Sequence, residues 1–297
     1  SDRDWSSDVC SSDLCAPKEP ASKSDLLANK PMKNPLCGQA RPLVFLPSIL
    51  VTISIIALAN ALTFEALNVP GASFTSADDV NASGVIVGHY YSVTNQNHGF
   101  VYDGTTYSSF DYPGASRTHA YGINDAGQIV GTYSLNFFDH GFLIDGKTKT
   151  SVDVPNAFST AAWDINNHGD IVGDFYDNES PRMQHGFLYD SSTGTFTALD
   201  YPGARRTFAY HLNDFGVVVG TYVDSSWVVH GFLYDGGYTS LDYPGAKVTN
   251  ANGINNLGVV VGRYSDQNNV WHGFIYEGGS FTSLDVDFPG ATYSQLI

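Results

Sequence analysis

The sequence is short of the residues from which most redox and metal chemistry is built. It holds three cysteines in 297 residues, Cys10, Cys15 and Cys37, and all of them precede residue 62. The chain beyond that point therefore has no disulfide and no thiolate to offer. Positive charge is also scarce, with 14 Lys and Arg against 30 Asp and Glu and a net charge of −16. Residues 1–61 balance six acids against six bases, so the whole excess belongs to 62–297, which carries 24 acidic and 8 basic side chains. An acidic body argues against nucleic acid as a partner, because neutralising phosphates needs a basic surface. The Gly-x-Ser-x-Gly, His-Glu-x-x-His and phosphate-loop motifs are missing as well. No segment after residue 62 sustains a helical period.

What is abundant favours strands and tight turns: 30 Gly, 13 Pro, 18 Phe and 18 Tyr. The start of the chain stands apart. Residues 43–59 form an apolar run preceded by Lys33 and Arg41 and ending in Ala59-Asn60-Ala61. This is the order of a secretory signal peptide over 32–61, with Met32 as its natural start and cleavage expected after Ala61. Pro47 and the shortness of the run disfavour a permanent span, so no membrane span is expected after cleavage. Residues 1–31 then lie upstream of the native start, and their opening resembles translated sequencing-adapter read-through. The fold domain is 62–297.

Within it the sequence repeats. His-Gly-Phe begins at His98, His140, His185, His230 and His272. An Asn-x-x-Gly turn followed by β-branched residues and Gly begins at Asn81, Asn124, Asn166, Asn213 and Asn255. Pro-Gly-Ala occurs at Pro70, Pro113, Pro202, Pro244 and Pro289, with Pro155-Asn156-Ala157 as a variant. Three landmarks in fixed order define a repeat fold of 42–47-residue units. Each unit divides into four short strands. In one copy these are Thr118–Asn124, Gln128–Tyr133, His140–Ile144 and a fourth ending near Asp153, with Asn-Asp-x-Gly and Asp-Gly as hairpin turns. Four strands per unit match a propeller blade. A lone four-stranded sheet leaves two apolar faces wet, and stacking units buries them at ~25 cal/mol per Å². The fold expected is an all-β β-propeller of four-stranded blades.

The landmarks resemble the HAF-repeat family of exported bacterial repeat proteins. The residues carrying the resemblance are the five His-Gly-Phe triads, Gly122–Asp125 with Gly127 and Val130–Tyr133, and Gly253–Asn256 with Gly258 and Val261–Tyr264. Two departures are consistent: Gly stands where the family has the middle Ala of its triad, and Asp-Tyr-Pro-Gly-Ala replaces a looser turn. The resemblance implies a secreted, cell-surface or periplasmic protein and carries no catalytic residues. Five units close a five-bladed ring, with Phe64–Ala72 as an extra fourth strand at the seam, or else belong to a larger ring begun again at 291–297.

The repeated residues are expected to be scaffold. Each triad histidine should satisfy groups of its own blade, and Asp111, Asp153, Asp200 and Asp242 should fix turns. The Asn-x-x-Gly turns lack the closing carboxylates of a calcium loop, so no metal and no cofactor are expected. Function is assigned to the face carrying the variable loops, between strands two and three and between blades. There Arg117, Arg205, Arg206 and Lys247 form a candidate basic patch for an anionic ligand. Tyr91, Phe137, Phe138, Trp227 and Trp271 supply aromatic faces suited to sugar rings or protein contact. The expected role is binding an extracellular polysaccharide or surface protein. The alternatives are a structural cell-surface component, or a glycosidase or lyase using acids such as Asp78, Asp139, Asp177, Glu179, Asp224 or Asp266.

Overall fold

The computed structural model describes residues 66–284. The expected leader segments 1–31 and 32–61 and the partial repeat at 291–297 lie outside the described residues. Within 66–284 the chain forms five four-stranded antiparallel meanders. Unit one holds β1 (Ala72–Val80), β2 (Ile86–Ser92), β3 (Asn97–Tyr102) and β4 (Tyr107–Phe110). Unit two holds β5 (Arg117–Ile123), β6 (Ile129–Leu135), β7 (Phe138–Asp145) and β8 (Thr148–Ser151). Unit three comprises β9 (Ser159–Ile165), β10 (Ile171–Tyr176), β11 (Gln184–Asp190) and β12 (Thr195–Leu199). Unit four comprises β13 (Arg206–Leu212), β14 (Val218–Val223), β15 (Val229–Tyr234) and β16 (Tyr238–Leu241). Unit five ends the described chain with β17 (Val248–Ile254), β18 (Val260–Ser265), β19 (Trp271–Glu277) and β20 (Ser280–Leu284).

The landmarks explain why the units fold and stack. The phenylalanine of each triad (Phe100, Phe142, Phe187, Phe232, Phe274) is completely buried. Its place is made by the glycine of the second strand: a Cβ on Gly131 would lie 2.0 Å from the His119 carbonyl oxygen and 2.7 Å from the Phe142 ring. Apolar clusters cross from unit to unit. Val87 packs with Ala120, Ile123 and Phe142 of unit two, Val130 with Ile165 and Phe187 of unit three, and Val172 with Leu212 and Phe232 of unit four. The second strands of units one to four are thus covered on both faces, as their runs of consecutive apolar residues require.

Asparagine locks the turns to one another. The Asn166 Oδ1 accepts the His168 and Asp170 amides at 3.0 and 2.9 Å, closing its own hairpin. Its Nδ2 donates to the Asn213 carbonyl of the next unit at 3.3 Å. The same link runs from Asn81 to Asn124, from Asn124 to Asn166 and from Asn213 to Asn255. The residue after each asparagine adds a second tier, in which Asn167 donates to Asp125 and Asp214, and Asn256 donates to Asp214. The carboxylates in these turns are therefore occupied with neighbouring turns.

The triad histidines behave as scaffold. His98, His140, His185 and His230 bring Nδ1 within 2.8–3.0 Å of Asp111, Asp153, Asp200 and Asp242 of the same unit. Each stacks on an aromatic ring of the second strand, as His230 does on Tyr222 at 4.9 Å, and Tyr222 stacks on Tyr201 of the linker at 3.6 Å. The linker is latched by a buried threonine of the following strand, the Tyr201 amide donating to Thr207 Oγ1 at 3.0 Å.

Two expectations are corrected. Residues 66–71 form no strand; the Pro70-Gly71 turn, closed by the Ala72 amide on the Val69 carbonyl at 3.0 Å, makes this segment a linker like the later ones. In unit two the third strand begins at Phe138, before His140, because Asn136 and Phe137 (φ 52° and 72°) make a two-residue hairpin turn.

Candidate binding site on the axis

The first strand of every unit reaches one shared cavity of 520 Å³, to which the five strands contribute Asp78, Tyr121, Trp163, Tyr210 and Asn252. Strand alternation alone would not place these residues there together with their successors. The register slips at this point in all five strands, between Ala77 and Asp79, Ala120 and Gly122, Ala209 and His211, and Ala251 and Gly253, and opposite Val172 and Gly173 in β9. A β-bulge inserts one residue and re-aims its side chain. The bulged residue and the one after it, Asp79 in unit one and His211 in unit four, then both line the cavity. A second chamber of 310 Å³ towards the loop face shares Tyr121, Trp163 and Tyr210 with the first and adds His119, Asp174 and Gln184.

The units differ from one another here. The buried alanine of the first strand repeats as Ala120, Ala162, Ala209 and Ala251. The bulge position carries Asp, Tyr, Trp, Tyr and Asn, and the next carries Asp79, Gly122, Asp164, His211 and Gly253. On the second strand the position after glycine is His89, Thr132, Asp174, Thr221 and Arg263. A scaffold that merely repeats has no need of this variety at its axis.

The chemistry of the cavity follows from these residues. Three aromatic side chains form a contiguous wall, with Tyr121 4.4 Å and Tyr210 6.1 Å from Trp163 between ring centroids. Asp174 is buried behind the wall, accepting from Trp163 Nε1 and, at 2.7 Å, from Gln184 Nε2. Burial raises its carboxyl to about 6 against these two donors. Asp78 accepts from Ser76 at 2.8 Å and faces His89 Nδ1 at 2.7 Å. His89 stacks on His119 at 4.1 Å, and burial together with His89 lowers His119 to about 3, so that ring is neutral. His119 Nδ1 meets the Tyr121 hydroxyl at 2.7 Å, while its Nε2 and the Thr132 hydroxyl are buried with no protein partner. Both residues line the upper chamber. Towards the turns, Asp79 accepts the Ile123 amide and Asp164 the Leu212 amide, at 2.7 and 2.9 Å. Burial, and then Asp164, hold Asp79 above the usual carboxylate range. His211 Nδ1 lies 2.9 Å from Asp164, close enough for ionic attraction though not aligned as a hydrogen bond. Burial opposes its charge, but Asp164 and Asp79 outweigh that and lift it to about 9.

The residues expected from sequence sit on the loop face but are not one cluster. Arg205 and Arg206 converge on Trp227, their guanidinium carbons 4.8 and 5.5 Å from its ring. Arg117 instead pairs with Asp139 at 2.8 Å, and Lys247 donates to Asn269 at 2.9 Å. Tyr91 packs on Phe74, Phe138 on Phe158, and Trp271 under Arg263, while Phe137 stands fully exposed. Of the candidate acids, Asp78 lines the axial cavity, and Asp139, with its partner Arg117, lines the upper chamber. Asp177, Asp224 and Asp266 close their own hairpins by accepting backbone amides, which holds each below the usual carboxylate range. Glu179 is exposed beside Asp177, its amide donating to that carboxylate at 3.2 Å. Tyr121, Trp163, Tyr210, Asp174 and His119 were not singled out by the sequence reading. Aligning the five units column by column exposes them, because they stand where the copies disagree.

Comparison with known proteins agrees with the architecture. The profile of a family described as a protein of unknown function (DUF3466) matches residues 110–202. No curated protein matches the sequence. Among solved structures, TolB from Acinetobacter baumannii is similar at 15% identity and a TM-score of 0.52, covering 69% of this chain and 52% of its own. The chain thus spans about half the length of that protein. The β-propeller domain of the Trilobed protease from Pyrococcus furiosus, described as having an open velcro topology, is similar at 11% identity and a TM-score of 0.50, covering 71% and 69%. A six-bladed lectin from Aleuria aurantia is similar at 12% identity and a TM-score of 0.46, covering 74% and 84%. The first two likenesses are of fold, and they place the all-β meanders of this chain among the β-propellers.

Proposed function

We propose that this protein is an exported β-propeller binding module whose axial cavity holds an extracellular glycan. The observation that carries the reading is the contrast between a repeated scaffold and unlike side chains at the five bulge positions, Asp78, Tyr121, Trp163, Tyr210 and Asn252. Aromatic faces flanked by carboxylate, amide and guanidinium groups suit a polyhydroxylated ring, which offers C–H faces for stacking and hydroxyls for hydrogen bonding. The unpartnered His119 Nε2 and Thr132 hydroxyl give such a ligand two polar groups to satisfy. Export rests on the leader sequence, and kinship with the HAF-repeat proteins rests on the triads and turns. The five units close a five-bladed ring in this reading. A glycan array with the purified protein tests the function: sugar binding that falls at least tenfold in Trp163→Ala is expected, and unchanged binding in that variant sinks the axial site.

One observation favours a catalytic reading. Asp174 lines the upper chamber and Asp78 the adjoining cavity, Asp174 raised by burial and Asp78 bonded to His89, and a glycosidase uses two carboxyl groups in different roles. Release of reducing ends from a polysaccharide panel, lost in both Asp174→Asn and Asp78→Asn, would replace binding by hydrolysis.

A further inference from the structure

The loop face of units three to five carries a charge arrangement that the axial site does not explain. Four of the eight cations in 62–297 lie there: Arg182, Arg205, Arg206 and Lys247. Three of them lie over aromatic rings. Arg182 sits 3.5 Å above Phe158 in unit three, and Arg205 and Arg206 meet Trp227 in unit four. Among the described residues, Arg182, Arg205 and Arg206 have no carboxylate within ion-pair distance, and Arg205 Nε donates to the Ser225 carbonyl at 3.2 Å. The acids of the same face are turned the other way. Asp177, Asp224 and Asp266 each accept backbone amides of their own hairpins and direct the second oxygen at the triad histidine, 3.4–3.8 Å away. Carboxylates are thus tied into the scaffold while guanidinium groups stand outward on aromatic platforms.

Trp227 adds a second sign. It stands at the left-handed turn position (φ 67°) that Asn95 and Asn269 occupy in the equivalent hairpins of units one and five, and there it is 60% exposed. The turn sets the backbone, and asparagine suits it better than a bulky indole, so the turn alone does not account for tryptophan at this tip. An exposed indole beside two arginines that lack a carboxylate partner, on a protein of net charge −16, presents apolar surface and planar forks for a carboxylate.

We infer that the loop face of units three to five is a binding arc for a carboxylated polysaccharide, a chain of uronate residues, with Arg205, Trp227 and Arg206 as its central clip and Arg182 and Lys247 as flanking contacts. The inference deepens the glycan reading and rests on it. The carboxylates take the guanidinium forks, and sugar rings pack against the exposed part of the Trp227 indole. A single-stranded nucleic acid offers rings and anions of the same kind, and its binding is an outcome of the test that would overturn the uronate assignment.

Titration of the full chain with an oligogalacturonate, its methyl-esterified form and a single-stranded oligonucleotide of equal charge tests this. The acid form should bind at least tenfold more tightly than the ester, with affinity falling as salt rises. Arg205→Ala with Arg206→Ala should reduce the acid form to the ester's level, and Arg205→Lys with Arg206→Lys should fall between, with unchanged melting temperatures confirming the fold. Equal binding of acid and ester, or oligonucleotide binding as tight as uronate, overturns the arc. If neutral sugars bind in a Trp163-dependent way and uronates do not, the arc fails while the axial reading stands. If no glycan binds, the two fall together.

Discussion

Asp174→Asn should make the protein more stable at neutral pH and less able to bind. In the folded state burial raises this carboxyl from 3.8 to about 6, against the two hydrogen bonds it accepts. A separation of roughly 2 pK units corresponds to about 3 kcal/mol. The sign follows from proton counts. Between pH 4 and 6 the unfolded chain has lost this proton and the folded chain still holds it, so stability falls as pH rises through that window. Above pH 6 the full penalty applies; below pH 4 it vanishes. Asparagine removes the charge but also presents an amide NH₂ to one of two donors, Trp163 Nε1 or Gln184 Nε2, and Gln184 can rotate its amide to accept. The net gain at pH 7 is then about 1–2 kcal/mol, or several degrees in melting temperature for a domain of this size. Urea unfolding of both proteins at pH 4, 5, 6, 7 and 8 measures it. The variant's advantage should be largest at pH 7–8 and shrink towards pH 4. A difference that stays constant with pH, or that grows as pH falls, refutes the assignment of a strained ionised carboxylate at this position. A buried charge that weakens the fold at the wall of a cavity is the trade expected of a functional group.

Asn166→Ala should cost about 3 kcal/mol, since it leaves the His168 and Asp170 amides and the Asn213 carbonyl without their partner; a lower urea midpoint checks it. Gly131→Ala should be worse, about 3 kcal/mol or more, because the added methyl meets the His119 carbonyl and the Phe142 ring, and it should lower the yield of folded protein. Ala82→Asn should stabilise by about 1 kcal/mol: the Ala82 amide already donates to Asp125 at 2.8 Å, and an added side-chain amide extends the Asp–Asn tier that Asn167 and Asn256 make. A melting temperature below the parent's would show that the turn of unit one lacks this geometry.

The sequence disclosed the scaffold because scaffold physics repeats. A phenylalanine must be buried in every unit, a glycine must make room for it, and an asparagine must tie each turn to the next, so the same residues recur at His98-Gly99-Phe100 and at His272-Gly273-Phe274. The loop face could also be assigned, since the tight turns are alike and the opposite loops vary. Pairing was harder to foresee. Nothing local to Arg117 separates a free cation from the partner of Asp139, and that depends on the short Asn136-Phe137 turn bringing Asp139 alongside. The axis was missed for a geometric reason. Alternation sends Asp78 and Asp79, or Tyr210 and His211, to opposite faces, and only the bulge turns both inward. The residues that look most regular by position were therefore the least regular by type.

The axial site is tested most directly by a crystal structure of the protein soaked with the oligosaccharide that binds best on the array. Density for a sugar ring against Trp163, between Tyr121 and Tyr210 and within hydrogen-bond reach of His119 or Thr132, is the expected result. An empty axis, with the sugar bound only at the Asn-x-x-Gly turn face or on the outer strands, would contradict it.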